Sequence, residues 1–358
     1  MAQNQTARKH GAARVVKRIL MVLCALIAAL AIVVFALWGG ELSTLKTLSR
    51  VEDDVNLFTM EYKADYALDE FLKTGASTDA ELVDFIVRQM LKGIPLNFDL
   101  PNLGCSTFAA QLTDGTPIFG RNFDMYDSPA LFVTTRPKDG YASISMVNLA
   151  YIGYNSESLP TSLTKSIMTL AAPYAPLDGV NEKGLAVGVL QIKTTPTNQQ
   201  TDKVDITTTS AIRLLLDRAA TVEEAVELLS QYDMHASAGS CYHFHIADAK
   251  GGSVIVEYID DEMSVVQGDA ATNFLLTPGE YDFGSGEDRY AVLRETLDAN
   301  GGVFENEEQA MELLKAVSQP VSEEKKSSTQ WSCVYNQQDA GVEIAMNMDY
   351  EKVYTFGL

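Results

Sequence analysis

Cys105, Arg121 and Asp124 are the residues whose types and spacing point most directly to chemistry. They stand in the runs Gly104-Cys105-Ser106-Thr107-Phe108 and Gly120-Arg121-Asn122-Phe123-Asp124. A thiol is a strong nucleophile near neutral pH, and a nearby cation and carboxylate can tune its pKa and orient it. The glycine before the cysteine leaves the bond between them open to attack. Cleavage there would make Cys105 a new N-terminus, with its own α-amine as a built-in base. A plainer reading stands beside this one: a cysteine that opens a strand is commonly a small apolar core residue.

The elements that must position these residues are strands. After Cys105 the chain shows turn signals at Asp114-Gly115, Asp139-Gly140 and Lys183-Gly184, each between apolar runs. Read as a two-residue turn, Asp114-Gly115 pairs Thr113 with Thr116, and so Cys105 with Asp124. Directly opposed residues share a face, with Cα atoms about 4.5–5.5 Å apart. This register therefore sets Asp124 against Cys105. It sets Arg121 opposite Phe108, on the other face. A bulge near Gly120 or a strand end near Asn122 would be needed to bring Arg121 back.

Other elements follow from pattern. Residues 57–68 read as a strand. Thr78-Asp79-Ala80-Glu81 is a capping box that opens a helix over 81–91. Residues 205–234 read as two helices, the second opened by Thr221-Val222-Glu223-Glu224. Strands are expected over 242–258, 272–277 and 330–356, and a helix over 307–317. Strands, helices, then strands and a helix suggest sheets covered by helices.

The chain has 358 residues, 46% of them hydrophobic and 21% charged, as in ordinary globular proteins. One segment departs from that picture. Residues 19–38 form an uninterrupted apolar run, long enough to cross a bilayer as a helix. Arg8, Lys9, Arg14, Lys17 and Arg18 precede it, so the positive-inside rule puts the tail 1–18 in the cytoplasm. The flank Leu37-Trp38-Gly39-Gly40 is a poor cleavage site for a signal peptide, which favours a retained anchor. The expected organisation is a basic tail (1–18), a transmembrane signal-anchor helix (19–38), a leader (39–104) and one extracytoplasmic domain (105–358). The leader is expected to be cut at Gly104–Cys105, and either released or retained.

The formal net charge is −21, and five of the 27 basic residues lie in the acid-free first eighteen positions. The remainder therefore carries 22 basic against 48 acidic residues. That balance argues against nucleic-acid binding. Of four cysteines, Cys24 lies in the apolar run. A Cys241–Cys333 bridge with Cys105 free, or three reduced buried thiols, both fit.

The runs around Cys105 and Arg121 resemble the start of the mature choloylglycine hydrolase family, the linear amide C–N hydrolases. These include penicillin V acylase and bile salt hydrolase, with isopenicillin-N acyltransferase and acid ceramidase as relatives. In that superfamily an N-terminal cysteine is followed by an arginine sixteen residues later and an aspartate nineteen later, the positions of Arg121 and Asp124 here. Asp178-Gly179-Val180-Asn181-Glu182-Lys183-Gly184-Leu185-Ala186 is similar to the hairpin before the family's oxyanion-hole position. Ala271-Thr272-Asn273-Phe274 resembles the strand of its catalytic asparagine, and Asp288-Arg289-Tyr290 its later arginine motif. The resemblance covers roughly residues 105–358.

It implies an α+β fold, the four-layer αββα sandwich of the N-terminal-nucleophile hydrolases. It implies catalytic roles for Cys105, Arg121, Asp124, Asn273 and Arg289, with Asn181 and Gln191 as oxyanion or substrate candidates. It implies no cofactor and no metal. The reaction would be hydrolysis of a linear amide of a small N-acyl molecule, through an acyl-thioester. Bile salt hydrolases carry asparagine where this chain has Gln191, and sixteen residues separate Asn273 from Arg289, fewer than in those enzymes. Both departures lean toward the acyltransferase-like or ceramidase-like branch, and acyl transfer stands as the alternative. The reading leaves room for a homo-oligomer.

Three rivals come from the residues themselves. Cys241, His243 and His245 alternate along one strand face, with ligands suited to zinc. His235, His243 or His245 could partner Cys105 in a thiol–imidazole pair. An anchored ectodomain could also keep the fold and bind a ligand without catalysis.

Overall fold

The computed structural model describes residues 2–98, 104–321 and 326–358, with the side chains of the first helix described from Lys17 onward except at positions 30, 31 and 34. The first helix, α1, runs Ala2–Leu45. Its described apolar side chains are exposed, Ile19 at 61% and Phe35 at 72%. Among the described residues, no helix is long and apolar enough to cross a membrane.

Strands β1 (Ser49–Arg50) and β2 (Leu57–Tyr62) follow, then helices α2 (Leu68–Thr74) and α3 (Asp79–Gln89). Thr78 caps α3 as its sequence suggests, accepting the Glu81 N–H at 3.2 Å. The Glu81 carboxylate reaches the Ser77 N–H at 2.8 Å, one residue before the cap. Strands β3 (Gly104–Leu112) and β4 (Pro117–Met125) make a hairpin. Next come β5 (Ala130–Thr135), β6 (Ser143–Asn148), β7 (Pro176–Asn181) and β8 (Ala186–Ile192), with 3-10 turns at Leu149–Ile152 and Ile167–Tyr174.

The expected helical region 205–234 holds α4 (Thr208–Arg218) and α5 (Val222–Leu229), bracketed by the short parallel strands β9 (Val204–Thr207) and β10 (Tyr232–His235). Strands β11 (Cys241–Ala247), β12 (Ser253–Ile259) and β13 (Glu262–Gln267) form a meander. The expected strand at 272–277 is instead a loop after the two-residue β14 (Ala270–Ala271). Helix α6 (Glu287–Asn300) then precedes β15 (Val303–Phe304), α7 (Glu307–Ala316) and strands β16 (Ser328–Asn336), β17 (Gly341–Met346) and β18 (Val353–Gly357).

The strands form two large sheets. One has nine strands in the order β1-β2-β5-β6-β7-β8-β11-β12-β13. The other runs β14-β3-β4-β16-β17-β18, with β15 beside β3. Helices α4 and α5 cover the first sheet, and α6 and α7 cover the second. The two sheets pack on each other where β3 meets β8. Gly188 on β8 is needed at that contact: a Cβ there would lie 3.2 Å from the Thr107 side chain. This is a four-layer α-β-β-α arrangement. Cys105, Phe119, Phe123 and Trp331 belong to the main core between its sheets, while Phe108, Ile118, Leu293 and Leu314 pack in a second core beneath α6 and α7.

The leader is built into this architecture. Strand β2 pairs in parallel with β5, from Leu57 opposite Ala130 to Tyr62 opposite Thr135. Tyr66 donates to Asp217 at 2.7 Å, and Tyr174 donates to the Tyr66 carbonyl at 2.9 Å. Phe71, Phe85 and Tyr174 meet edge to face.

Candidate active site

The β3–β4 hairpin differs from the sequence expectation by one residue, and the difference decides the site. Its loop has three residues, Thr113 to Gly115. Leu112 donates its N–H to Thr116 O at 2.8 Å, and Gly115, at φ +88°, donates to Leu112 O at 2.9 Å. A left-handed residue closing a three-residue loop suits glycine. Cys105 therefore pairs with Phe123, Thr107 with Arg121, and Gly104 with Asp124. Side chains alternate along a strand. Cys105, Thr107, Arg121 and Phe123 thus share the face toward the first sheet. Gly104, Ser106, Asn122 and Asp124 share the face toward α6 and α7. The expected pairing of Cys105 with Asp124 is corrected, and Arg121 reaches the thiol's face without a bulge.

On the thiol's face, Cys105 and Arg121 are both fully buried. Burial pushes the Cys105 thiol up to about 11, against the lowering effect of Arg121; Asp124 raises it and Arg289 lowers it further. Arg121 donates through Nε to Asp178 Oδ2 at 3.4 Å. Asp178 also accepts from Trp331 Nε1 at 3.4 Å and from the Tyr335 hydroxyl. Burial raises the Asp178 pKa; Arg121 and the Tyr335 and Trp331 hydrogen bonds work against it. For Arg121, burial disfavours the charge, but Cys105, Asp178 and Asp124 outweigh it. Phe123 stacks on Trp331, with ring centroids 4.1 Å apart, and walls this side. Tyr151 and Tyr242 are close enough to the thiol to interact electrostatically with it.

On the backbone side, Cys105 N–H donates to Asn273 Oδ1 at 2.8 Å. Arg289 Nη2 donates to the same oxygen at 2.9 Å, and Nη1 to Cys105 O at 2.5 Å and Ser106 Oγ at 2.7 Å. Asn273 Nδ2 donates to the Gln191 carbonyl at 2.9 Å. With two N–H donors on one end and a carbonyl on the other, the amide orientation follows from the network. Arg289 lies in the first turn of α6 and also reaches Asp124 Oδ2 at 3.6 Å. Asp124 Oδ1 accepts from Thr329 Oγ1 at 2.6 Å. Gly104 fits here because it has no side chain: a Cβ would lie 3.0 Å from Asp124 Oδ2.

Cys105, Arg121, Asp124, Asn273 and Arg289 therefore converge from β3, β4, the loop after β14, and α6. Gln191 joins through its carbonyl, while its Nε2 donates to Ser240 Oγ at 2.7 Å. Asn181 serves the fold instead. Its Nδ2 donates to Leu216 O and Ala219 O, and its Oδ1 accepts from Lys183 and Leu185 N–H, tying the β7–β8 turn to the end of α4. Asp178 is the site residue that sequence reasoning did not single out, although it heads the Asp-Gly-Val-Asn run. Its signal was the one acidic residue of the strand Pro176–Asn181, set between Leu177 and Val180.

The ring nitrogens of the three described histidines bond to groups other than Cys105. His235 meets Asn198 and Asp205, His243 meets Glu257 and Thr272, and His245 meets Thr107 and Ser253. Burial, His243 and Arg121 push His245 down to about 3, so it is neutral. Among the described residues, no group of three or more candidate ligands could hold a metal ion. All four cysteines are free, so Cys241 and Cys333 are not bridged.

Comparison with known proteins places this constellation. Residues 105–279 match the family model of the linear amide C–N hydrolases, choloylglycine hydrolase family, and the match begins at Cys105. A penicillin V acylase of Pectobacterium atrosepticum is 34% identical over 102 residues, which span 25% of this chain and 26% of that relative. Among solved structures, penicillin V acylase from Agrobacterium tumefaciens superimposes with a TM-score of 0.50 at 19% identity, over 71% of this chain and 86% of that one. A variant of the conjugated bile acid hydrolase from Clostridium perfringens gives 0.51 at 16% identity, over 71% and 92%. Those two share the fold. Within residues 105–279 the chain is similar to the choloylglycine hydrolase family of linear amide C–N hydrolases.

Proposed function

We propose that this protein hydrolyses a linear, non-peptide amide of a small N-acyl molecule, with Cys105 as an N-terminal nucleophile. The observation that carries the reading is the division of labour around Cys105: its thiol shares a strand face with Arg121, while its N–H rests on Asn273 Oδ1. Cys105 Sγ first attacks the Gly104 carbonyl carbon. The acyl group shifts from nitrogen to sulfur, and water opens the thioester, leaving a Gly104 carboxylate and a free Cys105 amine. An unperturbed α-amine titrates at about 7.7–8.0, suited to a general base near neutral pH.

In turnover the amine takes the thiol proton, and Sγ attacks the substrate carbonyl. The C–N bond breaks as the proton passes to the leaving amine. Water then hydrolyses the acyl-thioester and restores the thiol. Departure of Gly104 bares the carboxylate of Asp124, its partner in register, to the new amine. Asn273 Oδ1 is the second acceptor for that amine. Arg121 favours thiolate, and Arg289 holds Asn273 and the Cys105 carbonyl in place.

Residues 19–38 serve as the membrane anchor, with the basic tail in the cytoplasm and the catalytic domain outside. Support comes from the length of the apolar run, the basic cluster before it and the exposure of its described side chains. After cleavage the leader stays bound through β2, so the anchor retains the catalytic chain. The test is mass spectrometry of the purified full-length protein in detergent, with a panel of penicillin V, bile-salt conjugates, acyl-amino acids and ceramides. A fragment beginning at Cys105 is expected, and Cys105→Ala should remain one chain. An active wild type that is never cut would overturn the mechanism.

A further inference from the structure

His243 and Glu257 form a buried pair that the chemistry above does not use. Both side chains are fully buried, on adjacent strands β11 and β12. His243 Nδ1 lies 3.0 Å from Glu257 Oε1, and Nε2 lies 2.7 Å from the Thr272 carbonyl oxygen. Glu257 accepts the Leu276 N–H on Oε1 and the Thr277 N–H on Oε2, each at 2.8 Å. The pair therefore grips the loop on both sides of Asn273: the carbonyl just before it and the amides three and four residues after it.

The donor inventory fixes the tautomer. A carbonyl oxygen only accepts, so Nε2 must carry a proton. Glu257, with two backbone N–H groups on its carboxyl oxygens, closes the pair at Nδ1. Burial raises the Glu257 pKa, but His243 and the Thr277 and Leu276 contacts outweigh it and hold the carboxyl below its usual range. His245, two residues along the same strand face, faces hydroxyls at both nitrogens and stays neutral. Cys241 interacts electrostatically with Glu257, and Arg121 with His245.

We infer that His243 is a positioning residue, whose Nε2–H bond to the Thr272 carbonyl and contact with Glu257 set Asn273 against Cys105. The inference rests on the proposed catalytic reading for its consequence, and on hydrogen-bond geometry alone for the tautomer. A strand in place of the 272–277 loop would pin these groups through its own ladder. Here the buried pair holds Thr272 O and the Leu276 and Thr277 amides, and a single bridge, Ser285 N–H to Asn273 O at 2.9 Å, holds the residue between them.

The test has two arms on the full-length protein in detergent. In the first, ¹⁵N-histidine NMR reads both ring nitrogens of His243, assigned by its loss in His243→Gln. Nε2 should carry a proton held in a hydrogen bond, while His245 remains neutral at pH 5. A His243 protonated on Nδ1 alone overturns the inference, whatever the enzyme does. In the second, penicillin V is the probe substrate. His243→Gln and Glu257→Gln should each lower kcat by about 10²-fold with KM within about twofold, the scale of one mispositioned polar group in an active site. A single change strands a buried charge and can unfold the chain. The double variant His243→Gln/Glu257→Gln restores a neutral donor–acceptor chain and should regain the melting temperature and part of kcat. A folded His243→Gln with wild-type kcat, or a double variant no more stable and no more active than either single, refutes the role. A wild type inert toward penicillin V tells against that substrate alone, because the NMR arm stands without it.

Discussion

Arg121 is the charge that most directly opposes burial at the thiol, and its removal is a quantitative test of the site. The Cys105 pKa of about 11 reflects full burial, with Arg121 as the largest opposing influence. Loss of a close opposite charge shifts a pKa by about 1–3 units. The thiolate fraction at pH 8 should therefore fall by about 10- to 1,000-fold, or about 1.4–4 kcal/mol. Arg121→Gln alone would also leave Asp178 buried without its cation, a loss of about 3–5 kcal/mol in stability. The clean comparison is Arg121→Gln/Asp178→Asn against Asp178→Asn, since the asparagine oxygen can still accept from Trp331 while its Nδ2 donates to the Tyr335 hydroxyl oxygen. The assay is the rate of iodoacetamide capture at Cys105, followed by peptide mass from pH 7 to 10. Access to the buried thiol is common to both proteins, so the ratio of rates reports the thiolate fraction. Equal rates in two folded proteins across that range would refute the electrostatic role given to Arg121.

Further outcomes follow from the same geometry. Gly104→Ala should slow processing, because its Cβ would meet the Asp124 carboxylate at 3.0 Å; pulse-chase of the full-length chain reads the rate, and unchanged cleavage would contradict the close approach. After processing, the leader and the chain from Cys105 should co-elute in size-exclusion chromatography and part only under denaturant, since β2 lies inside the nine-stranded sheet. Tyr66→Phe should weaken that association measurably, because it leaves the buried Asp217 without its phenol donor. His245 binds its proton in the unfolded chain near 6.5 and in the folded chain near 3, so the unfolded state takes up the extra proton between those values. Stability should be fully present above pH 6.5 and fall by as much as about 4–5 kcal/mol as pH drops toward 3. His245→Gln should flatten that part of the curve in thermal melts taken from pH 7 to 4.

Legibility in the sequence varied with how local each cause is. The Thr78 cap and the paired helices after residue 207 depend on neighbours within a few positions, and they appear in the structure close to where pattern puts them. The hairpin register depends on one extra loop residue, and Asp-Gly suits both a two-residue turn and the end of a three-residue one. That ambiguity of one position moved Arg121 and Asp124 to opposite faces. Helix α6 was not anticipated: its apolar positions are sparse, with Leu293 and Leu297 as its buried apolar anchors, and its N-cap is Gly286 in a left-handed conformation rather than a capping hydroxyl. The 272–277 loop reads as a strand because its residues suit one, yet the groups that hold it come from Glu257 and His243, fifteen or more residues upstream. Asp178 was hidden for the same reason, since Arg121, Trp331 and Tyr335 are all distant in sequence.

The odd length of the Thr113–Gly115 loop is what gives Cys105 two chemically different sides. With a two-residue turn, Asp124 would share the thiol's face, where its charge would raise the thiol pKa further, and Arg121 would point toward α6 with Arg289 already there. The observed register does the reverse. It places the cation with the sulfur, where the proposed chemistry needs a thiolate, and the carboxylate with the backbone nitrogen, where that chemistry would form an ammonium. A sheet separates two such faces by its thickness, so both charges act on one residue without neutralising each other through direct contact. Arg121 is paired by Asp178 and Asp124 by Arg289, so each face is balanced within itself.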